Sequence, residues 1–235
     1  MTEQIIMQPL SKISNPLAMK NSALVLLLYI FSPVHVIGQV MPQGFLVNPN
    51  TETVTIGTQV WMKYNLDTDV FQDGTPIERA NLAFTRSVVL PSWCYYNYDV
   101  TYNPIYGKLY NGYAVNDSRG ICPIGFRVPT RADFTTLNTF LGATTAGGKL
   151  KEAGTVHWTA PNTGATNSSG FTGLPGGYMG DAGSSSYIEN WGYFWSSTSN
   201  GTTNYVRYLK YNDDNFTETT EFGLKGGASV RCIKQ

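Results

Sequence analysis

The chain has 235 residues, with 16 basic and 16 acidic side chains, so its formal charge is zero. Only 14% of the residues are charged and no basic run stands out, which excludes the electrostatic footprint of a nucleic-acid binder. Aromatic residues reach 13%, and Thr, Asn, Ser and Gly fill the other polar positions. That neutral, tyrosine-rich, hydrogen-bonding surface suits contact with a protein or a glycan, and equally suits an exported surface that avoids charge.

The amino end reads as a targeting segment. Lys20 is followed by an uncharged apolar run, residues 23–31, and then by small residues ahead of Gln39. This predicts a secretory signal peptide over residues 1–38, cleaved after Gly38, with Met19 as an alternative initiator. The apolar run is far short of the ~20 residues needed to cross a bilayer, so no membrane span is expected in the mature chain. No cysteine stands at the cleavage site to carry a lipid. Residues 39–51 are expected to form a leader and residues 52–235 the folded domain, placed outside the cell or on its surface.

In chain order, residues 53–62 predict two short strands around a Gly57-Thr58 turn, with Val54/Ile56 and Val60/Met62 alternating with polar positions. Residues 78–87 carry a weak helical pattern. The tyrosine-crowded stretch 92–116 predicts irregular structure and short strands. Thr130 can cap a helix, with Asp133 as its capping-box partner; Phe134, Leu137 and Leu141 follow on one face and Gly142 stops it. A second short helix is expected over 148–153, then a long Gly/Ser/Thr/Asn-rich excursion over 154–190. Strands return at 193–196, 204–211 and 228–234, the last with Val230 and Cys232 on one face. Cys122, directly ahead of the capped helix, is placed either as a reactive thiolate or as a staple.

Several short motifs occur together and in order: Thr55-Ile-Gly-Thr-Gln-Val-Trp-Met62 with Asn65-Leu66, Tyr106-Gly-Lys-Leu-Tyr-Asn111, Cys122-Pro-Ile-Gly125, Val128-Pro-Thr130, Gly147-Gly-Lys-Leu-Lys151, Asn167-Ser-Ser-Gly-Phe171, Leu174-Pro-Gly-Gly-Tyr178, Trp195-Ser-Ser-Thr198 and Ser229-Val-Arg-Cys232. The set resembles the Fibrobacter succinogenes major paralogous domain, a branch of the C-type lectin-like fold related to the formylglycine-generating enzymes. The resemblance implies an α+β domain: two helices beside a small twisted mixed sheet, with a long irregular insertion. It also places the capped helix beside the terminal strand, which pairs Cys122 with Cys232 and leaves Cys94 free or linking two chains. Cys122 is then a staple.

Catalysis is not expected. Formylglycine-generating enzymes use two cysteines close in sequence, whereas the nearest two here are Cys94 and Cys122. The one histidine outside the signal segment is His157, so a nucleophile, base and orienting group cannot all be named. Calcium is not supported as a cofactor, because the lectin-type calcium motifs are missing; Asp181 and Asp213-Asp214 could offer oxygen ligands, but paired surface acids are usually just solvated. The resemblance directs attention to residues 204–221. Tyr205, Arg207, Tyr208, Lys210, Tyr211, Asn212, Asp213 and Asp214 are expected to form a contact face for a protein or glycan ligand, since Tyr and Arg often dominate interfaces. Some domains of this type resemble the targets of diversity-generating retroelements, with Trp195–Thr198 and Ser229–Cys232 as fixed flanks. A structural component of an envelope, appendage or phage particle is the alternative, and a formylglycine-generating-type enzyme is disfavoured.

Overall fold

The computed structural model describes residues 52–81 and 89–235. The signal-peptide stretch 1–38, the leader 39–51 and most of the helix expected over 78–87 lie outside the described residues. The domain is mixed, mostly sheet with a few short helices. Among the described residues, no helix is long and apolar enough to cross a membrane.

The chain opens with the expected hairpin, β1 (Thr53–Ile56) and β2 (Gln59–Met62), in antiparallel register Thr53 to Met62. Gly57 takes the turn at φ +62°, a left-handed conformation that costs glycine little. The second edge of β2 pairs with β13 (Ile233–Lys234), which pairs in turn with β6 (Phe126–Arg127). The two ends of the domain therefore meet in one four-stranded sheet, in order β1-β2-β13-β6. Its two faces are both covered: Trp61 packs on Phe134 and Phe171, while the adjacent Met62 enters a separate core cluster. The expected alternation holds in β1, where Thr53 and Thr55 are exposed and Ile56 is buried, but not in β2, where Trp61 and Met62 are both buried because each face is core.

Residues 78–79 are not helical. β3 (Glu78–Arg79) runs parallel to β4 (Ser92–Cys94), and the Ala80 N–H donates to the Trp93 carbonyl. The Arg79 guanidinium rests 4.8 Å from the Tyr95 ring, so this segment is held by cross-strand contacts rather than by a periodic apolar face. Two 3-10 turns (Tyr96–Tyr98, Val100–Tyr102), the one-turn helix α1 (Asn103–Tyr106), β5 (Leu109–Asn111) and the one-turn helix α2 (Gly112–Val115) follow. This agrees with the irregular structure expected there.

Helix α3 (Arg131–Phe140) starts as its sequence requires. The Asp133 N–H donates to Thr130 Oγ1 and the Thr130 N–H donates to Asp133 Oδ2, a complete capping box. Phe134, Leu137 and Leu141 are buried and Gly142 leaves the helix at φ +95°. Helix α4 (Ala146–Leu150) begins two residues before the expected start. A Cβ on Gly148 would lie 2.3 Å from the Gly164 carbonyl oxygen, so the excursion that follows is pressed directly onto this helix.

The remaining strands are β7 (Gly176–Met179), β8 (Ser185–Ile188), β9 (Trp191–Ser199), β10 (Thr203–Lys210), β11 (Thr217–Gly223) and β12 (Gly227–Ala228). They build a second sheet in order β11-β10-β9-β7-β12-β5-β4-β3, with β8 added on β7. The predicted small sheet is thus one of two, and the irregular excursion shortens to about 152–175 because β7 and β8 form inside it. The strand expected over 228–234 is also two: β12 belongs to the second sheet and β13 to the first. Between them the Ser229 N–H donates to the Tyr193 carbonyl and the Met62 N–H to the Cys232 carbonyl, so the chain crosses from one sheet to the other. Val230 and Cys232 are both buried in one cluster, as their spacing predicts. The Cys122–Cys232 disulfide is present, with the two Cα atoms 5.9 Å apart.

Candidate functional site

The eight residues expected to form a contact face do not share one. Along β10, Val206, Tyr208 and Lys210 point to one side of the sheet, toward Trp195, Tyr193 and Trp191. Arg207, Leu209 and Tyr211 point to the other. Arg207 donates to the Phe216 carbonyl and pairs with Glu218 at 3.3 Å, while Arg131, at the start of α3, lies 4.3 Å over the Tyr205 ring. Two core anchors three residues apart in a strand must face opposite ways, so both sides of β10 are engaged.

Asp213 and Asp214 are drawn into the turn after β10. The Asp213 carbonyl accepts from Lys151 Nζ and its carboxylate from the Asn215 N–H, while the Asp214 carbonyl accepts from the Gly148 N–H. Both acids are half-buried in that turn. Among the described residues, no cluster of three or more His, Cys, Asp or Glu side chains converges to hold a metal ion.

The structure gathers Lys210, Tyr211 and Asn212 with three residues that the sequence reading left out: Tyr187, Asn190 and Trp191. Together they line an open cleft of about 440 Å³. A stacked aromatic wall rises on one side. The Tyr187 and Trp191 rings are 4.9 Å apart and 27° from parallel; Trp191 stacks further on Tyr208 at 5.2 Å and Tyr193 at 5.7 Å. Tyr187 is 48% exposed, and the wall deepens through half-buried Trp191 to buried Tyr193. Burial, reinforced by the neighbouring phenols, raises the Tyr193 hydroxyl pKa far above its ordinary value. The Lys210 ammonium sits 4.3 Å from the Trp191 ring and 5.2 Å from Tyr208.

The walls are fixed by main-chain bonds. The Asn190 N–H donates to the Tyr187 carbonyl, the Tyr211 N–H to Asn190, and the Glu189 N–H to Pro175. Tyr187 and Glu189 hold φ values of +63° and +64°, sparsely populated for side chains of this size, so the turn into β9 is dictated by its surroundings. Beneath the cleft, the buried Lys151 ammonium donates to the carbonyls of Thr163, Lys210 and Asp213 at 2.8–2.9 Å. Burial lowers its pKa to about 8, with Asp213 and Asp214 acting against that, so it remains charged at neutral pH. One ammonium thus ties the excursion to the end of β10 and the turn beyond it.

A profile of the Fibrobacter succinogenes major domain family matches residues 54–234. The chain belongs to this family. A search of curated proteins and of solved structures found no match. The motifs of the Fibrobacter succinogenes major domain have visible duties in this member. Trp195 Nε1 donates to the Tyr110 carbonyl, and Asn65 accepts from the Arg231 guanidinium. Arg231, fully buried, also donates to the carbonyls of Lys63, Met62, Phe171 and Thr172; burial lowers its pKa to about 9, which leaves it charged. None of the six residues lining the cleft lies in those motifs; they fall in the intervals between Tyr178 and Trp195 and between Thr198 and Ser229.

The sulfurs are bonded or buried, and the imidazole is paired with an acid. Cys122 is in the disulfide, and Cys94 is buried rather than available to link chains, its thiol pushed up to about 12 by burial. His157 Nδ1 lies 2.9 Å from Glu152, and no hydrogen bond joins this ring to a cysteine among the described residues. Tyr187, Asn190 and Trp191 were missed because the turn carrying them sits in a stretch without strand periodicity. The one available signal was the placement of two large aromatics on either side of Glu189-Asn190.

Proposed function

We propose that this domain is a non-enzymatic binding module, secreted or held at the cell surface, that takes a protein or glycan ligand in the cleft between β8, β9 and β10. The observation that carries the reading is the cleft itself: an aromatic wall exposed at Tyr187, with amide, phenol and ammonium groups around it, in the volume range of ligand sites. Rings supply contact area at low entropic cost, and amides fix orientation. The division of labour along the chain also supports it, since the family motifs frame the fold and the cleft residues fall between them. A C-type lectin-like fold related to the formylglycine-generating enzymes is our reading of the architecture. It is supported by chain ends that meet in one sheet, by a disulfide from the helix entry to the last strand, and by the excursion between them. The high thiol pKa of Cys94 and the bonded Cys122 support a binding rather than a catalytic role.

The test is a glycan and peptide array probed with the purified protein and with its Tyr187→Ala and Asn212→Ala variants. Both side chains are exposed, so melting temperatures should stay within about 2 °C of the parent. The signal on ligands bound by the parent should fall at least tenfold. Undiminished binding by both variants would place the site elsewhere on the domain.

A further inference from the structure

We infer that the cleft selects an acidic sugar, a hexuronate residue of a glycan, whose carboxylate meets Lys210 and whose ring lies against the Tyr187–Trp191 wall. The inference rests on the cleft being the binding site and names its ligand class.

Charge comes first. Of the six lining residues one is charged, and it is a cation; no acid lines the cleft. Lys210 forms no ion pair among the described residues. Its nearest acids in sequence are committed to the turn, Asp213 to the Asn215 N–H and Asp214 packed on Gly164. The ammonium is instead steered by the faces of Trp191 and Tyr208, which orient a cation without neutralising it. An incoming anion would gain a charge-assisted hydrogen bond that no protein group now makes. A single cation suits a singly charged carboxylate. A phosphate is usually held by several arginines or by free main-chain N–H groups, and here the N–H groups of Asn190 and Tyr211 are already bonded to Tyr187 and Asn190.

The remaining lining points to a polyhydroxylated ring. Asn190 donates through Nδ2 to the Ile188 carbonyl, which leaves its Oδ1 to accept from a hydroxyl. Asn212 and Tyr187 add an amide and a phenol that both donate and accept, as sugar hydroxyls do. An extended acidic peptide fits less well. β9 and β10 pair with each other up to Trp191 and Lys210, and the Tyr187 carbonyl of β8 already accepts from the Asn190 N–H, so the main chain beside the ammonium is not offered to a peptide. Recognition falls to side chains around an open aromatic cleft.

The experiment is calorimetric titration of the purified protein with oligomers of galacturonate, mannuronate and glucuronate, each alongside its methyl ester, and with a glutamate-rich peptide. The ester keeps the ring and removes the charge. At least one acid should bind tenfold or more tighter than its ester, with affinity falling as salt rises. Lys210→Met should abolish that preference and Lys210→Arg keep it. Equal binding of acid and ester, no binding of any oligomer, a preference that survives Lys210→Met, or tighter binding of the peptide would each overturn the inference. Loss of binding in Tyr187→Ala without any charge preference would sink the ligand class alone and leave the cleft as the site.

Discussion

Individual side chains in this domain behave against their type where a charge is sealed inside. Lysine is almost never fully buried, yet Lys151 is, and three carbonyl oxygens surround its ammonium. Replacing it by methionine keeps the length and leaves three buried acceptors unpaired, each unmet group costing on the order of 1–3 kcal/mol when isolated. Lys151→Met should therefore lower stability by about 3 kcal/mol or more in urea unfolding, and should weaken any cleft ligand because the Lys210 and Asp213 carbonyls lose their common anchor. A loss below about 1 kcal/mol would mean that water satisfies those oxygens. Tyr208 departs from expectation in the opposite direction: read as a contact residue, it is half-buried in the aromatic wall behind Lys210. Neither burial is legible from the residue type.

At the scale of elements, legibility tracks how local the determining contacts are. Helix α3 was readable because Thr130, Asp133 and Gly142 act within a few positions of one another. Asp133 also receives the Arg127 guanidinium at 2.6 Å. Burial raises its pKa, but the hydrogen bonds from Arg127 and Thr130 outweigh that and leave it below the usual 3.8. A carboxyl depressed on folding stabilises the native state above its unfolded pKa, and that contribution is lost as pH falls through the folded value. Asp133→Asn should therefore cost about 1 kcal/mol near neutral pH, a gap that narrows below about pH 3.8. Chemical unfolding at a series of pH values checks it, and a gap of constant size would assign the loss to packing. Strand β10 shows the other limit. Its existence was readable, but its contact face was not. A bulge between Asn204 and Val206 and core on both sides set which side chains reach solvent.

For the whole molecule, closure depends on the last few residues. β13 sits between β2 and β6, and Cys232, directly ahead of it, is bonded to Cys122 across 110 residues. In the chain-entropy picture such a loop contributes up to ~5 kcal/mol. Cys122→Ala with Cys232→Ala should lower the melting temperature by 10 °C or more, while the Cys94 thiol stays unreactive until the chain unfolds. Thiol titration during thermal melting follows both events together. Rapid labelling of Cys94 in the folded double variant would show that its burial depends on the disulfide.

The sequence by itself determined the family, the hairpin, the capped helix and, through the family resemblance, the cystine, because each is written in short motifs whose partners are near or chemically unambiguous. Tertiary structure alone decided the cleft. Its walls come from residues 187–191 and 210–212, brought together by β9–β10 pairing, and their orientation follows from a bulge and from positive backbone angles imposed by neighbours. A side chain's face in a strand reverses with a shift of one residue, so register had to be known before any of these six could be assigned to the same surface.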